Sequence, residues 1–430
     1  MPKSHRLTAW DALQLLTKLF SDQQVRMVVE LDGRLDVARL ADAIRAVFAA
    51  EPILGFHIQE RFFRPRWKPL ARLDAASVLR IVPAADPEAE IRKLVLEDLD
   101  PLRGPIVRFS VVRGERDAVV VNLDHTAGDA ASVRGLAYLL AAAYGKPERI
   151  EPAEPAEYFG RREFTALEPL MPSMKGKKLR DNPMPAQPPW QFPWGGEPNA
   201  GANIRKRLCL RRVEAARAGA IRKFAADRGA WLNDVFLAAY FRALARLLAE
   251  TAGGGEHGAP RFTVPADLRS YLAARERPRI ANFSSTFEAA PEGGLGGSFD
   301  ETLARVRAST EKAKNGKPGL GSAAFMSAMV DRYPFRLIER RMDWGKIRST
   351  VLPPWFIALG VLRPESLAFG PVAARAAYSL QSFGRAGNVF QLSASTFAET
   401  MTFAVCAVCD DAQEAAIRRL LDLYESELPS

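Results

Sequence analysis

The 430-residue chain holds only three cysteines and four histidines. An odd and small number of thiols excludes a disulfide framework and fits a reducing compartment, so the cytoplasm is the expected location. Cys406 and Cys409 form a CxxC in TMTFAVCAVCDD, but the surrounding run is β-like and lacks the strand-to-helix turn of a redox pair. They are expected as two buried strand cysteines. The scarcity of histidine also argues against metal. His5, His57 and His257 show no ligand spacing, and His125 with Asp129 supplies only two ligands, so no metal centre is expected. No stretch approaches 18 consecutive apolar residues, and no membrane-spanning helix is expected. The opening segment MPKSHRLTAWDALQLLTKLFSD is amphipathic, is interrupted by Asp11 and Lys18, and lacks a small-residue cleavage site; it reads as a first helix rather than a signal peptide. Also missing are the serine elbow GxSxG, the P-loop, GxGxxG between strand and helix, and HExxH, which removes several enzyme classes.

What is present begins with charge. A net charge of +10 attracts polyanions, among them nucleic acid, anionic membrane, coenzyme A and acidic carrier proteins. No zinc-finger spacing, RRM signature or base-reading basic helix accompanies it, and the densest cluster, MKGKKLR from Met174 to Arg180, is short, so nucleic acid is not an expected partner. Hydrophobic residues at 48% and charged residues at 26% describe a globular protein, and the length calls for two domains.

Along the chain, QQVRMVVELDG places Val25, Met27, Val29 and Leu31 on one face of a strand, and LDVARLADAIRAVFAAEP follows as a helix capped by Asp36. PIVRFSVVRGERDAVVVNLDH reads as two strands around a GERD turn. The second strand delivers His125 at its end, TAGD turns, and AASVRGLAYLLAAAY is helical with Val133, Leu136, Leu140 and Tyr144 on one stripe. Between residues 151 and 204 the chain is rich in Pro and Gly and reads as a crossover linker. Its Trp190, Phe192 and Trp194 are expected to pin a long loop to the surface. Then RKRLCLRRV is a strand, EAARAGAIRKFAADRG a helix, and WLNDVFLAAYFRALARLLAE a strong helix capped by Asn233 or Asp234. PRFTVPADLRSYL and RIANFSSTFEAA read as strands around a loop. VFQLSASTFAETMTFAVCAV is strand material around a turn, and the last helix carries Ile417, Leu420, Leu421, Tyr424 and Leu428 on one face.

HTAGDA therefore straddles a strand-to-helix junction, where a rigid scaffold can present a side chain into a cleft. A histidine there can serve as a general base, because neutral imidazole accepts a proton from a hydroxyl or amine attacking a carbonyl. The Asp four residues later can bond locally or pair with a distant arginine.

HTAGDA, preceded by the LRGPIVRFSVV strand, resembles the HHxxxDG region of the condensation-domain and acyltransferase superfamily built on the chloramphenicol acetyltransferase fold. Downstream, in the same order, WLNDVFLAAYFRALARLL resembles the helix opening that family's second half, VPADLRSYL its PxxxR element, IANF its GN segment, and FIALGVL its SNLG run. The resemblance spans most of the chain. It implies an α/β (α+β) fold of two pseudo-symmetric subdomains, each a mixed sheet packed with helices, with a tunnel between them: residues 1–150, the crossover at 151–204, and residues 205–430. It makes His125 the catalytic base and gives Asp129 a structural role paired with Arg269. Asp124, Ala130 and Asn282 become candidate substrate-binding residues. Asp124 stands where the family has its first histidine, Ala130 where it has the final glycine, and Ala281 where it has the glycine of GN. The implied activity is that of a stand-alone acyltransferase of secondary metabolism, moving an acyl group from coenzyme A or a phosphopantetheine carrier protein to an alcohol or amine, with no resident cofactor. The alternative is a catalytically inactive binding or scaffolding protein of the same shape.

Overall fold

The computed structural model describes residues 4–72, 74–174, 202–251, 261–342, 351–385, 387 and 389–430. The strands are β1 (His5–Arg6), β2 (Gln24–Leu31), β3 (Phe56–Gln59), β4 (Arg66–Pro69), β5 (Leu79–Pro83), β6 (Val107–Arg113), β7 (Asp117–Asp124), β8 (Arg205–Val213), β9 (Phe262–Asp267), β10 (Ser284–Ala289), β11 (Trp355–Leu362), β12 (Ala374–Leu380), β13 (Gly384–Arg385), β14 (Gln391–Phe397) and β15 (Thr400–Cys409). The helices are α1 (Ala9–Leu16), α2 (Val37–Ala50), α3 (Ala75–Val78), α4 (Pro87–Leu96), α5 (Ala130–Gly145), α6 (Pro155–Arg161), α7 (Ala215–Asp227), α8 (Leu232–Thr251), α9 (Phe299–Asn315), α10 (Leu320–Arg332), α11 (Phe335–Met342) and α12 (Asp411–Glu427).

The first sheet has the order β12-β2-β7-β6-β5. Its centre, β7, is apolar along almost its whole length because both of its faces are covered. Val119, Val121 and Leu123 pack with α2 and α5, through Leu40, Ile44 and Val47 of the former and Val133, Leu136 and Leu140 of the latter. Val120, on the opposite face, joins Ile91, Leu94 and Val95 of α4 and meets Leu208, Leu380, Ala404 and Cys406, so this layer is shared with the second sheet. The hairpin between β6 and β7 closes with Arg113 opposite Asp117, as the GERD turn requires. Asp36, Asp86, Asp129 and Asp410 each cap a helix by accepting from the backbone N–H of the third residue on. A small sheet, β1-β4-β3, lies outside the two main ones.

The second sheet runs β10-β9-β11-β14-β15-β13, with β8 also paired to β15. Helices α8 and α12 pack on it, burying Val235, Tyr240 and Leu244 against Leu392, Phe403, Leu420 and Tyr424. The chain thus has the mixed α/β, two-sheet architecture that the resemblance implies. Strand β12 crosses between halves: it comes from the later part of the chain yet pairs antiparallel with β2 as the edge of the first sheet.

Two local expectations are revised. Helix α8 begins at Leu232, with the Trp231 carbonyl accepting from Asp234 and Val235, so Asn233 and Asp234 lie in its first turn and do not cap it. Within the stretch read as a linker, α6 and the turn after it are part of the core: Phe159, Arg162 and Leu167 are buried. Residues 175–201, with most of MKGKKLR and with Trp190, Phe192 and Trp194, lie outside the described residues, as does His257. Cys406 and Cys409, three apart on β15, fall on opposite sides of the sheet, one in the shared layer and the other in the second-half core. Both are free thiols, and burial pushes Cys409 up to about 12. No helix among the described residues is long and apolar enough to cross a membrane.

Candidate active site

The turn from β7 into α5 is built by its own short side chains. Asp124, the last residue of β7, is fully buried; its Oδ1 accepts from Thr126 N–H at 3.0 Å and its Oδ2 pairs with Lys18 at 2.9 Å. Asp124, a candidate to line a substrate site, bonds the loop and Lys18, which lies in the turn following α1. Gly128 is required by close approach, since a Cβ there would lie 2.7 Å from Ser132 Cβ and 3.2 Å from Ile280. Ala130, half-buried, is the first residue of α5.

Asp129 caps α5. Its Oδ1 receives Ser132 N–H at 3.0 Å and lies 3.0 Å from the Ser132 hydroxyl, while its Oδ2 receives Arg269 Nη1 at 2.8 Å and Phe283 N–H at 2.9 Å. Burial works against this charge, but the Arg269 guanidinium and the donated hydrogen bonds outweigh it and hold the carboxyl below the ordinary aspartate value. Arg269 is itself buried and uses its remaining donors on the carbonyls of Pro278, 2.9 Å, and Ala281, 2.7 Å, and on Asp267, 3.1 Å. The pair therefore ties the start of α5 to the segment entering β10 from the other half of the chain.

His125 is half-buried, and its backbone N–H donates to the Gln23 carbonyl at 2.8 Å. Its ring Nδ1 stands 3.2 Å from Asn282 Oδ1. Asn282, 3% exposed, donates through Nδ2 to Asp11 Oδ1 at 3.0 Å and to the Thr126 carbonyl at 2.9 Å. Asp11, on the buried side of α1, receives Trp67 Nε1 and Arg162 Nη2 on its Oδ2, both at 3.0 Å. Arg162 also donates to the carbonyls of Ala127 and Ile280, one on each side of the site.

The structure thus brings His125, Asp129, Arg269 and Asn282 together, and it adds Asp11, Arg162, Lys18 and Ser132, which sequence reasoning missed. One signal for the first of these was available: Asp11 and Lys18 interrupt the apolar part of the amphipathic opening segment, and both find partners at the site. Two pockets of the surface are defined by their walls. One, of about 440 Å³, is walled by His5, Asp11, Trp67, Phe159, Arg162 and Glu163; the other, about 670 Å³, by Arg6, Arg61, Phe62, Phe63, Arg64 and Arg66; neither touches His125. Among the described residues, no group of three or more His, Cys, Asp or Glu could hold a metal ion.

With two sheets, a strand exchanged between them and a histidine loop at their junction, the fold is that of the condensation domains of peptide and polyketide synthetases. The first condensation domain of the CDA synthetase superposes with a TM-score of 0.66 at 17% identity, covering 100% of this chain and 98% of that one. Polyketide synthase associated protein 5 from Mycobacterium tuberculosis gives 0.64 at 14% identity, covering 98% and 97%. SgcC5 from Streptomyces globisporus gives 0.64 at 15% identity, covering 99% and 100%. The epimerization domain from the third module of tyrocidine synthetase B shares the fold as well, with a TM-score of 0.63 at 13% identity. No protein-family profile matches the sequence, and no curated protein matches it.

Proposed function

We propose that this protein transfers an acyl group from a thioester to an alcohol or amine, with His125 as the general base. The observation that carries the reading is the contrast between the two side chains of HTAGDA. Asp129 has its carboxylate oxygens committed to protein partners and can only hold the loop, whereas among the described residues the His125 ring finds a hydrogen-bond partner at Nδ1 and none at Nε2, and it stays partly exposed at the junction of the two halves. The imidazole takes the acceptor's proton as its oxygen or nitrogen attacks the thioester carbonyl. The C–O or C–N bond forms, the C–S bond breaks, and the imidazolium returns the proton to the departing thiolate. No covalent enzyme intermediate is needed, in keeping with three cysteines that are all buried. Coenzyme A or an acidic carrier protein bearing phosphopantetheine is the donor, and the net charge of +10 suits either.

A second reading, a binding or scaffolding module that does no chemistry, is favoured by Asp124: where the resembling family has a histidine, this chain has a carboxylate wholly spent on Lys18 and Thr126. Thiol release separates the two. Acyl-coenzyme A and acyl-carrier donors, short to long, are offered with mixed alcohols and amines to wild type and to His125→Ala. Release that requires an acceptor and falls by about 10²–10⁴-fold in a folded His125→Ala protein supports transfer. Equal release by both proteins removes His125 from the chemistry, and no release from any donor favours the binding module.

A further inference from the structure

The Asn282 side chain has two possible orientations, and its surroundings permit one. Facing one end are Asp11 Oδ1 at 3.0 Å and the Thr126 carbonyl oxygen at 2.9 Å. Both are acceptors, so the amide NH₂ must point at them. Turned the other way, the amide would set its own oxygen against both. The orientation leaves Oδ1 facing His125 Nδ1 at 3.2 Å, and a carbonyl oxygen can only accept. In the neutral ring Nδ1 therefore carries the proton and the lone pair is on Nε2.

Asp11 shares with the Thr126 carbonyl the task of making this arrangement one-sided, and it is the side chain of the two. Its Oδ2 is filled by two donors, Trp67 Nε1 and Arg162 Nη2, which leaves Oδ1 for Asn282. Its charge, 1% exposed, is balanced by a guanidinium equally buried. Arg162 in turn grips the carbonyls of Ala127 and Ile280, so the group that fixes Asp11 also fixes the spacing between the His125 turn and the Asn282 segment.

We infer that Asp11, acting through Asn282, sets the tautomer of His125 so that Nε2 is the basic nitrogen. Asp11 and Asn282 are positioning residues, since neither touches a reacting atom. The hydrogen-bond logic stands on geometry alone; its bearing on catalysis rests on the acyl-transfer reading.

The test is long-range ¹H–¹⁵N correlation of protein labelled at histidine, at a pH well above the ordinary imidazole value of about 6.5, with the His125 signals assigned by their loss in His125→Ala. Wild type should show His125 in the Nδ1–H form. In Asp11→Asn the side-chain oxygen stays with Trp67 and Arg162, and the new NH₂ opposes that of Asn282. Turning the Asn282 amide then relieves the clash with position 11 at the expense of its bond to the Thr126 carbonyl, so the Nε2–H form of His125 gains population over wild type. Asn282→Leu, which removes the acceptor outright, should also lose the Nδ1–H form. A wild-type His125 in the Nε2–H form overturns the inference whatever the variants do. So does a folded Asp11→Asn that keeps the wild-type pattern. If Asp11→Asn does not fold, wild type and Asn282→Leu decide. Turnover is scored separately: a protein with the Nδ1–H pattern and no thiol release leaves the tautomer assignment standing and removes the acyl-transfer reading, while release with the opposite pattern does the reverse.

Discussion

Replacing Arg269 with methionine would measure how firmly the histidine loop is held. The change keeps an apolar stem beside Phe283, whose ring centroid lies 5.5 Å from the guanidinium, and deletes the bonds to Asp129, Asp267, Pro278, Ala281 and the Ser132 hydroxyl. Asp129, whose side chain is 2% exposed, then keeps its charge without a counter-charge at Oδ2. Breaking one side of a buried ion pair costs about 3–5 kcal/mol. Because Ser132 and Phe283 still donate to Asp129 and the cap on α5 survives, the lower end, about 3 kcal/mol, is expected. Asp129→Ala loses the cap as well, about 1 kcal/mol more. The double variant should cost less than the sum of the two singles by about 2 kcal/mol, because the second substitution removes the charge that the first one stranded. Urea midpoints and slopes for the four proteins give these numbers. Acid adds a second signature. In wild type the Asp129 carboxyl lies below its ordinary 3.8, so the pair's contribution is complete above that pH and fades only as pH falls towards the lowered folded-state value. In Arg269→Met burial is opposed only by the hydrogen bonds that remain, the carboxyl rises, and protonation relieves the stranded charge at a higher pH, so the gap to wild type narrows on acidification. An Arg269→Met protein within 1 kcal/mol of wild type, or singles that simply add, would refute the clamp.

Gly128→Ala should destabilise by about 1–3 kcal/mol, the range for forcing extra volume into a packed site, because the new Cβ meets Ser132 at 2.7 Å while Ser132 is itself bonded to Asp129 and Ala281. A shift in melting temperature and faster amide exchange in the first turn of α5 would register it, and an unchanged melting curve would contradict it. The three thiols should be silent to a disulfide reagent in the native protein and all react on unfolding, since Cys209, Cys406 and Cys409 are buried and Cys409 is pushed up to about 12. Rapid native labelling at pH 8 would show that β15 is more accessible than its packing allows.

What was legible in the sequence was whatever depends on neighbours along the chain. The run to Asp124, the TAGD turn and the apolar stripe of α5 define a strand-turn-helix by period alone, and Asp36 caps α2 as its position before that helix's apolar stripe requires. The pairing of Asp129 with Arg269 came from resemblance, because nothing in either segment's pattern identifies a partner 140 positions away. Asp11 and Arg162 escaped notice for the same reason: one looks like a flaw in an amphipathic helix, the other like a surface charge in a Pro-rich stretch. Helix α9 went unread because its buried face alternates Leu303 and Val306 with Thr302 and Thr310, which blunts the apolar period. Strand β12 went unread as well, and its partner is a tertiary choice, since nothing in ARAAYSL says which sheet it joins.

The arrangement of buried charge explains why these distant segments meet in one register. The apolar contacts that join the halves, such as Trp10 and Leu13 of α1 against Leu268, Leu272 and Phe283, supply area but tolerate small slips, because dispersion and desolvation are non-directional. Asp11 with Arg162 and Asp129 with Arg269 do not tolerate them. Each member is almost fully buried, each pair joins segments far apart in sequence, and a slip of a few ångströms would part both pairs and strand buried charge. Both pairs grip the stretch from Pro278 to Phe283, Arg162 through the Ile280 carbonyl and Arg269 through those of Pro278 and Ala281, and that stretch carries the Asn282 side chain to His125. Volume-conserving changes among the apolar contacts should therefore cost stability while leaving the Asn282–His125 bond in place. A change in any one of the four charges should cost stability and misplace that bond together.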